Sequence, residues 1–134
     1  MRSYTGLQEI LYVSTIAADA PVRVVAEIAA RARISNQALD ITGLLVFDGL
    51  HFCQQLEGGA RKVMELMLRI CEDPRHTHVS ILHHGPLEKR RFRQFSLGFS
   101  PVDDVHLLAR LQTLQGPDAV EAFVAMLSSL DLPA

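Results

Sequence analysis

Two strand-like stretches, LQEILYVSTI (7–16) and HFCQQLEG (51–58), are apolar on both of their faces. Successive side chains of a strand point to opposite sides of a sheet. With ITGLLVFD (41–48) alongside, one side carries Ile10, Tyr12, Phe52, Gln54 and Leu56, and the other Leu11, Val13, Leu44, Val46 and Cys53. A sheet with two apolar faces needs a cover on each. The chain must therefore supply helices for both sides of its sheet.

The rest of the sequence provides them. After Pro21 the residues Val24, Val25, Ile28, Ala29 and Ala32 fall at helical spacing, with Asp19 upstream as a cap candidate. Asp48-Gly49 suits the turn of a hairpin between 41–48 and 51–58. Beyond Gly58-Gly59, Val63, Leu66, Met67 and Ile70 mark a second amphipathic helix that ends near Pro74. VSILHH (79–84) and QFSLGFS (94–100) read as further strands. Val105, Leu108 and Leu111, then Val120, Phe123, Val124 and Leu127, read as two helices parted at Gly116-Pro117. The order β-α-β-β-α-β-β predicts an α+β, ferredoxin-like fold with a five-stranded mixed sheet. Right-handed crossovers put the first two helices on one face and leave the other to the C-terminal pair.

At 134 residues the chain fits one folded unit that needs no disulfide to hold a core. The formal charge of −2, with no basic block, argues against capture of nucleic acid or of an acidic membrane surface. No apolar run approaches transmembrane length, and MRSYTG lacks signal-peptide features, so a cytoplasmic location is expected. Cys53 and Cys71 form no CxxC pair and are expected reduced. The histidines, His76/His78 and His83/His84 among them, show no metal-site spacing.

Gln54 is the residue that fits least easily. Alternation places its amide between Phe52 and Leu56 on a core-facing surface, where unpaired polar groups cost roughly 1–3 kcal/mol. Tyr12 on its strand reads as a core tyrosine with a bonded hydroxyl, Asn36 as a helix C-cap, and Arg69 with Asp73 as an ion pair four residues apart on one helix face. His76, in DPRH, reads as a solvated loop histidine.

Taken together, LYVS, NQALDITGLL, FCQQLEG, LRICEDPRH and RRFRQFSLGF resemble the BLUF domain, the sensor of blue light using FAD, over about residues 7–100. The resemblance implies a photosensory core over 1–102 and a helical pair over 103–134 on the back of the sheet. It implies FAD as cofactor, with FMN or riboflavin left open, lying between the two early helices. Tyr12 and Gln54 fall on the family's photoactive pair. Asn36, Arg69 and Asp73 fall on its flavin-contacting positions, and Ile28, on the inner stripe of the first helix, offers an apolar wall against the ring. Blue light is then expected to drive electron and proton transfer from Tyr12 by way of Gln54, leaving the amide with a changed hydrogen-bond pattern and no substrate turned over.

The last strand departs from the pattern. Where the family has tryptophan and methionine for signal relay, this chain has Phe95 and Leu97. Phenylalanine lacks an indole N–H, and leucine lacks the thioether's adaptability. The roughly 35 residues after the core hold no effector domain, so the resemblance implies a stand-alone sensor that signals to a separate partner protein and forms homo-oligomers. A flavin-dependent redox enzyme and a ferredoxin-like interaction module without flavin are the competing readings. The absence of a GxGxxG turn weighs against the first.

Overall fold

In the computed structural model, which describes residues 6–21, 23–99 and 107–127, the strands β1 (Leu7–Ile16), β2 (Thr42–Phe47), β3 (His51–Gly59), β4 (His76–Pro86) and β5 (Phe95–Phe99) form one sheet in the order β4-β1-β3-β2-β5. β4, β1, β3 and β2 run antiparallel to their neighbours, and β5 is added parallel to β2 at the far edge. Helix α1 (Arg23–Ala38) links β1 to β2, and α2 (Ala60–Glu72) links β3 to β4. β3 fills the gap between β1 and β2, and β1 the gap between β3 and β4, which is the split βαβ arrangement.

The two apolar faces are covered by different helices. Val25 and Ile28 of α1 and Val63 and Met67 of α2 pack with Ile10, Tyr12, Leu45, Phe52 and Leu56. On the other side, α3 (Leu107–Leu111) and α4 (Pro117–Met126) bring Leu108, Leu111, Val120, Phe123 and Met126 against Leu11, Val13, Leu44, Val46 and Cys53. Each such side chain, fully buried, contributes roughly 1.5–3 kcal/mol. Val124, grouped above with this helical stripe, is instead exposed, and Val105 lies outside the described residues.

Local chemistry sets the junctions. Asp48 Oδ1 accepts the backbone N–H groups of Leu50 (2.9 Å) and His51 (2.6 Å), and Gly49 takes φ 101° in the β2–β3 turn. Helix α1 closes where Ile41 N–H donates to the Asn36 carbonyl (2.8 Å) and Asp40 turns to φ 56°. Gly43, at φ 153°, lies so close to the Gln55 carbonyl that a Cβ there would collide with β3.

Polar groups are also buried on the α3–α4 side of the sheet. Gln55 Nε2 donates to Glu9 Oε1 (2.7 Å), and the backbone N–H groups of Arg91 (2.9 Å) and Phe92 (3.1 Å) donate to Glu57 Oε1. Burial pushes the Glu57 carboxyl above its ordinary range against these bonds. The strap between β4 and β5 is thereby tied to the centre of the sheet.

Candidate functional site

Between α1 and α2, above the sheet, lies a cavity of about 290 Å³ whose walls include Ile28, Asn36, Gln54, Arg69, Asp73 and His76. Ile28, Asn36, Gln54, Arg69 and Asp73, the residues expected from the sequence to hold a cofactor, therefore meet in one place. Tyr12 reaches the cavity through Gln54. It is fully buried, and its hydroxyl donates to Gln54 Oε1. β1 and β3 pair Tyr12 with Gln54 across the ladder, so the two side chains emerge side by side on the helix-covered face. The amide of Gln54 thus has its first partner: a phenol. Burial, with Cys53, Cys71 and Asp73 adding to it, holds the Tyr12 hydroxyl well above its ordinary pKa, so it remains a donor.

Asn36 is not a helix cap. It sits inside the last turn of α1 with its side chain fully buried, and neither its Oδ1 nor its Nδ2 has a hydrogen-bond partner. Two orphaned amide atoms on a cavity wall are an expensive arrangement for a site that only packs. Ile28, Ala32 and Asn36, four apart, form one row of α1 along the cavity.

Asp73 does not pair with Arg69. Helix α2 ends at Glu72, and Asp73 is extended (φ −74°, ψ 118°), which removes the i,i+4 geometry that pairing requires. Its carboxylate is held instead by Arg75, through Nη2 (2.7 Å) and Nε (3.0 and 3.1 Å). Bonding to Arg75 depresses the Asp73 pKa. Arg69 is exposed and lines the cavity, as does Arg31 of α1.

His76 is not a solvated loop residue. It opens β4, is buried, and its Nδ1 lies 2.9 Å from the buried Ser14 Oγ. Its ring centroid is 6.2 Å from that of Tyr12 at 73°, and 4.8 Å from that of Phe52. Burial lowers its pKa, with Asp73 opposing and Arg75 assisting. Sequence reasoning missed His76 because DPRH reads as a turn.

Phe95 is buried in the same core cluster as Tyr12. Leu97 stands opposite Leu45 in the β2–β5 register, and its side chain lies outside the described residues.

Phenol, carboxamide and unpartnered asparagine make a site that can grip the hydrogen-bonding edge of a planar heterocycle. Comparison with known proteins points the same way. Residues 7–98 match the family model of sensors of blue light using FAD. The chain is 36% identical over 104 residues to the blue light- and temperature-regulated antirepressor BluF of Escherichia coli K12, covering 74% of this chain and 26% of that protein. It spans about a quarter or less of the length of the curated relatives it matches. Among solved structures, BlrB, a BLUF protein in its dark state, is 30% identical with a TM-score of 0.74, covering 88% of this chain and 92% of that one. Klebsiella pneumoniae BlrP1 with FMN and cyclic diGMP is 37% identical with a TM-score of 0.62, covering 65% of this chain and 23% of that one. With the match extending over most of β1 to β5, the chain belongs to the BLUF family.

Proposed function

We propose that this chain is a blue-light sensor in which Tyr12 and Gln54 are the photoactive pair and the cavity between α1 and α2 holds an oxidised flavin. The observation that carries the reading is the Tyr12 hydroxyl bonded to Gln54 Oε1 at a cavity whose wall also bears the orphaned Asn36 amide. The residues present suit the group. Asn36 offers a donor and an acceptor to a ring edge, Ile28 an apolar wall, and Arg31, Arg69 and Arg75 a cationic rim for a phosphate-bearing tail. A bound flavin supplies light absorption and accepts an electron.

The chain's residues do the rest. Tyr12 gives up an electron, and its hydroxyl proton passes to Gln54 Oε1. The return of both leaves the Gln54 amide rotated or tautomerised, with donor and acceptor exchanged and no net charge created. Asn36 and Asp73 keep the flavin's polar edge in register, and Arg69 holds its tail. FAD is the expected cofactor, with FMN or riboflavin as substitutes. Nothing is turned over in this reading. The amide's new pattern shifts the population of a bistable element near the site, which a separate signalling protein reads.

Phe95 and Leu97 replace the indole donor and thioether that the family pattern uses for signal relay, so the spectral response and the signal output are separable in this chain. The core over 1–102 and the helical pair over 103–134 act together in a cytoplasmic homo-oligomer that needs no nucleic acid or membrane. Among the described residues no helix is long and apolar enough to cross a membrane. The test is an absorption spectrum of the purified protein in darkness and after blue light. The flavin bands should move reversibly to longer wavelength, and neither Tyr12→Phe nor Gln54→Leu should show the movement. A normal shift in both variants removes the assigned roles.

A further inference from the structure

His76 and Ser14 have no part in the Tyr12–Gln54 bond, yet both are buried beside it. We propose that the Ser14–His76 pair is a positioning device for Tyr12, and that a proton on His76 switches the light response off. The inference rests on the photoreceptor reading for its second half only.

The geometry begins with a defect in the sheet. The β1–β4 ladder shifts register between Val13 and Thr15, so Ser14 has no residue opposite it on β4. Ser14 shares a strand face with Tyr12, two residues away, and its hydroxyl meets His76 Nδ1. The imidazole is thereby set edge-to-face against the phenol, with the Phe52 ring on another side. Phe52 in turn packs on Phe47 at 4.9 Å. Burial in this slot disfavours the charged imidazolium.

Among the described residues, the charged groups around His76 are few. Asp73 and Arg75 of the α2–β4 turn are bonded to each other, Asp73 favouring a charged imidazole and Arg75 opposing it less strongly. Arg69 of α2 and Arg31 of α1 line the same cavity. Glu27 of α1 acts on Arg75. Tyr12 from β1 is neutral.

An electron leaving Tyr12 leaves positive charge developing on the phenol. A neutral imidazole tolerates this, whereas an imidazolium one ring away opposes it. The sign follows from the direction of the shift. Burial lowers the His76 pKa from 6.5, so the neutral form persists below the ordinary histidine midpoint and the response fails only on further acidification.

The test uses the flavin-loaded chain carrying Tyr4→Phe, which leaves Tyr12 as the sole tyrosine signal. Histidine and tyrosine ring resonances in the dark, and the amplitude of the light-induced shift, are followed from about pH 8 to about pH 5. The Tyr12 resonances should move with the midpoint of His76, and the amplitude should fall several-fold with that same midpoint. His76→Gln should flatten the amplitude profile, and Ser14→Ala should uncouple the Tyr12 resonances from the His76 titration. A Tyr12 signal that stays still while His76 titrates overturns the positioning contact. Acid loss that persists in His76→Gln overturns the switch. If Tyr12 follows His76 but no preparation shows a light-induced shift at any pH, the positioning contact stands and the photoreceptor reading fails.

Discussion

Removing the two halves of the Tyr12–Gln54 bond separately and together measures how strongly the fold depends on it. Gln54→Leu keeps the side chain's approximate size but strands the Tyr12 hydroxyl, which is fully buried and donates to Gln54 Oε1. Stranding such a donor costs about 1–3 kcal/mol, and the loss of a buried amide offsets part of it. Tyr12→Phe leaves the Gln54 amide without its phenol, but Gln54 lines the cavity, where water can take the vacated place, so its cost should stay below about 1 kcal/mol. The double variant replaces both partners with apolar groups of similar shape and should be close to neutral. The singles therefore sum to more than the double, with a coupling energy on the order of 1–2 kcal/mol. Urea unfolding without added flavin, followed by far-ultraviolet circular dichroism, gives the four stabilities. For a domain of this size each kcal/mol also moves Tm by about 3–5 °C. Strict additivity, with coupling below about 0.5 kcal/mol, would mean that the hydroxyl and the amide find other partners and that the bond at the heart of the site is incidental.

Two further outcomes follow from the packing. Asn36→Ala removes two buried atoms that have no partner, so stability without flavin should hold or rise slightly, while flavin retention, measured by fluorescence titration, should fall by about tenfold or more. Gly43→Ala should lose about 3 kcal/mol or more in urea unfolding, because strain at its positive φ adds to a clash with the Gln55 carbonyl.

Much of this architecture is written in short-range pattern. The period-two alternation that sorts Tyr12, Phe52 and Gln54 from Leu11, Val13 and Cys53 separates the two cores of the folded chain. The hairpin at Asp48-Gly49 and the helices after Pro21 and Gly59 follow from turn chemistry and apolar spacing. What escaped was set by geometry at element ends. Asp73 stands one residue beyond α2, so helix spacing misassigned its partner. β4 starts three residues before its apolar run because long β1 pairs with it as far as Ile16, and this draws His76 inward. The burial of Asn36 had a trace in the row Ile28, Ala32, Asn36, but its polarity hid the row's last member.

The two ladders flanking β1 differ in how they can yield. Toward β3 the register from Leu7 to Thr15 is unbroken, whereas toward β4 it slips between Leu11 and Tyr12 and again between Val13 and Thr15. The first is a stiff seam and the second a compliant one, and Tyr12 lies where they meet. Mechanical strain arising at the phenol will therefore be absorbed toward the sheet's outer edge, sparing the alignment with the carboxamide on its other side.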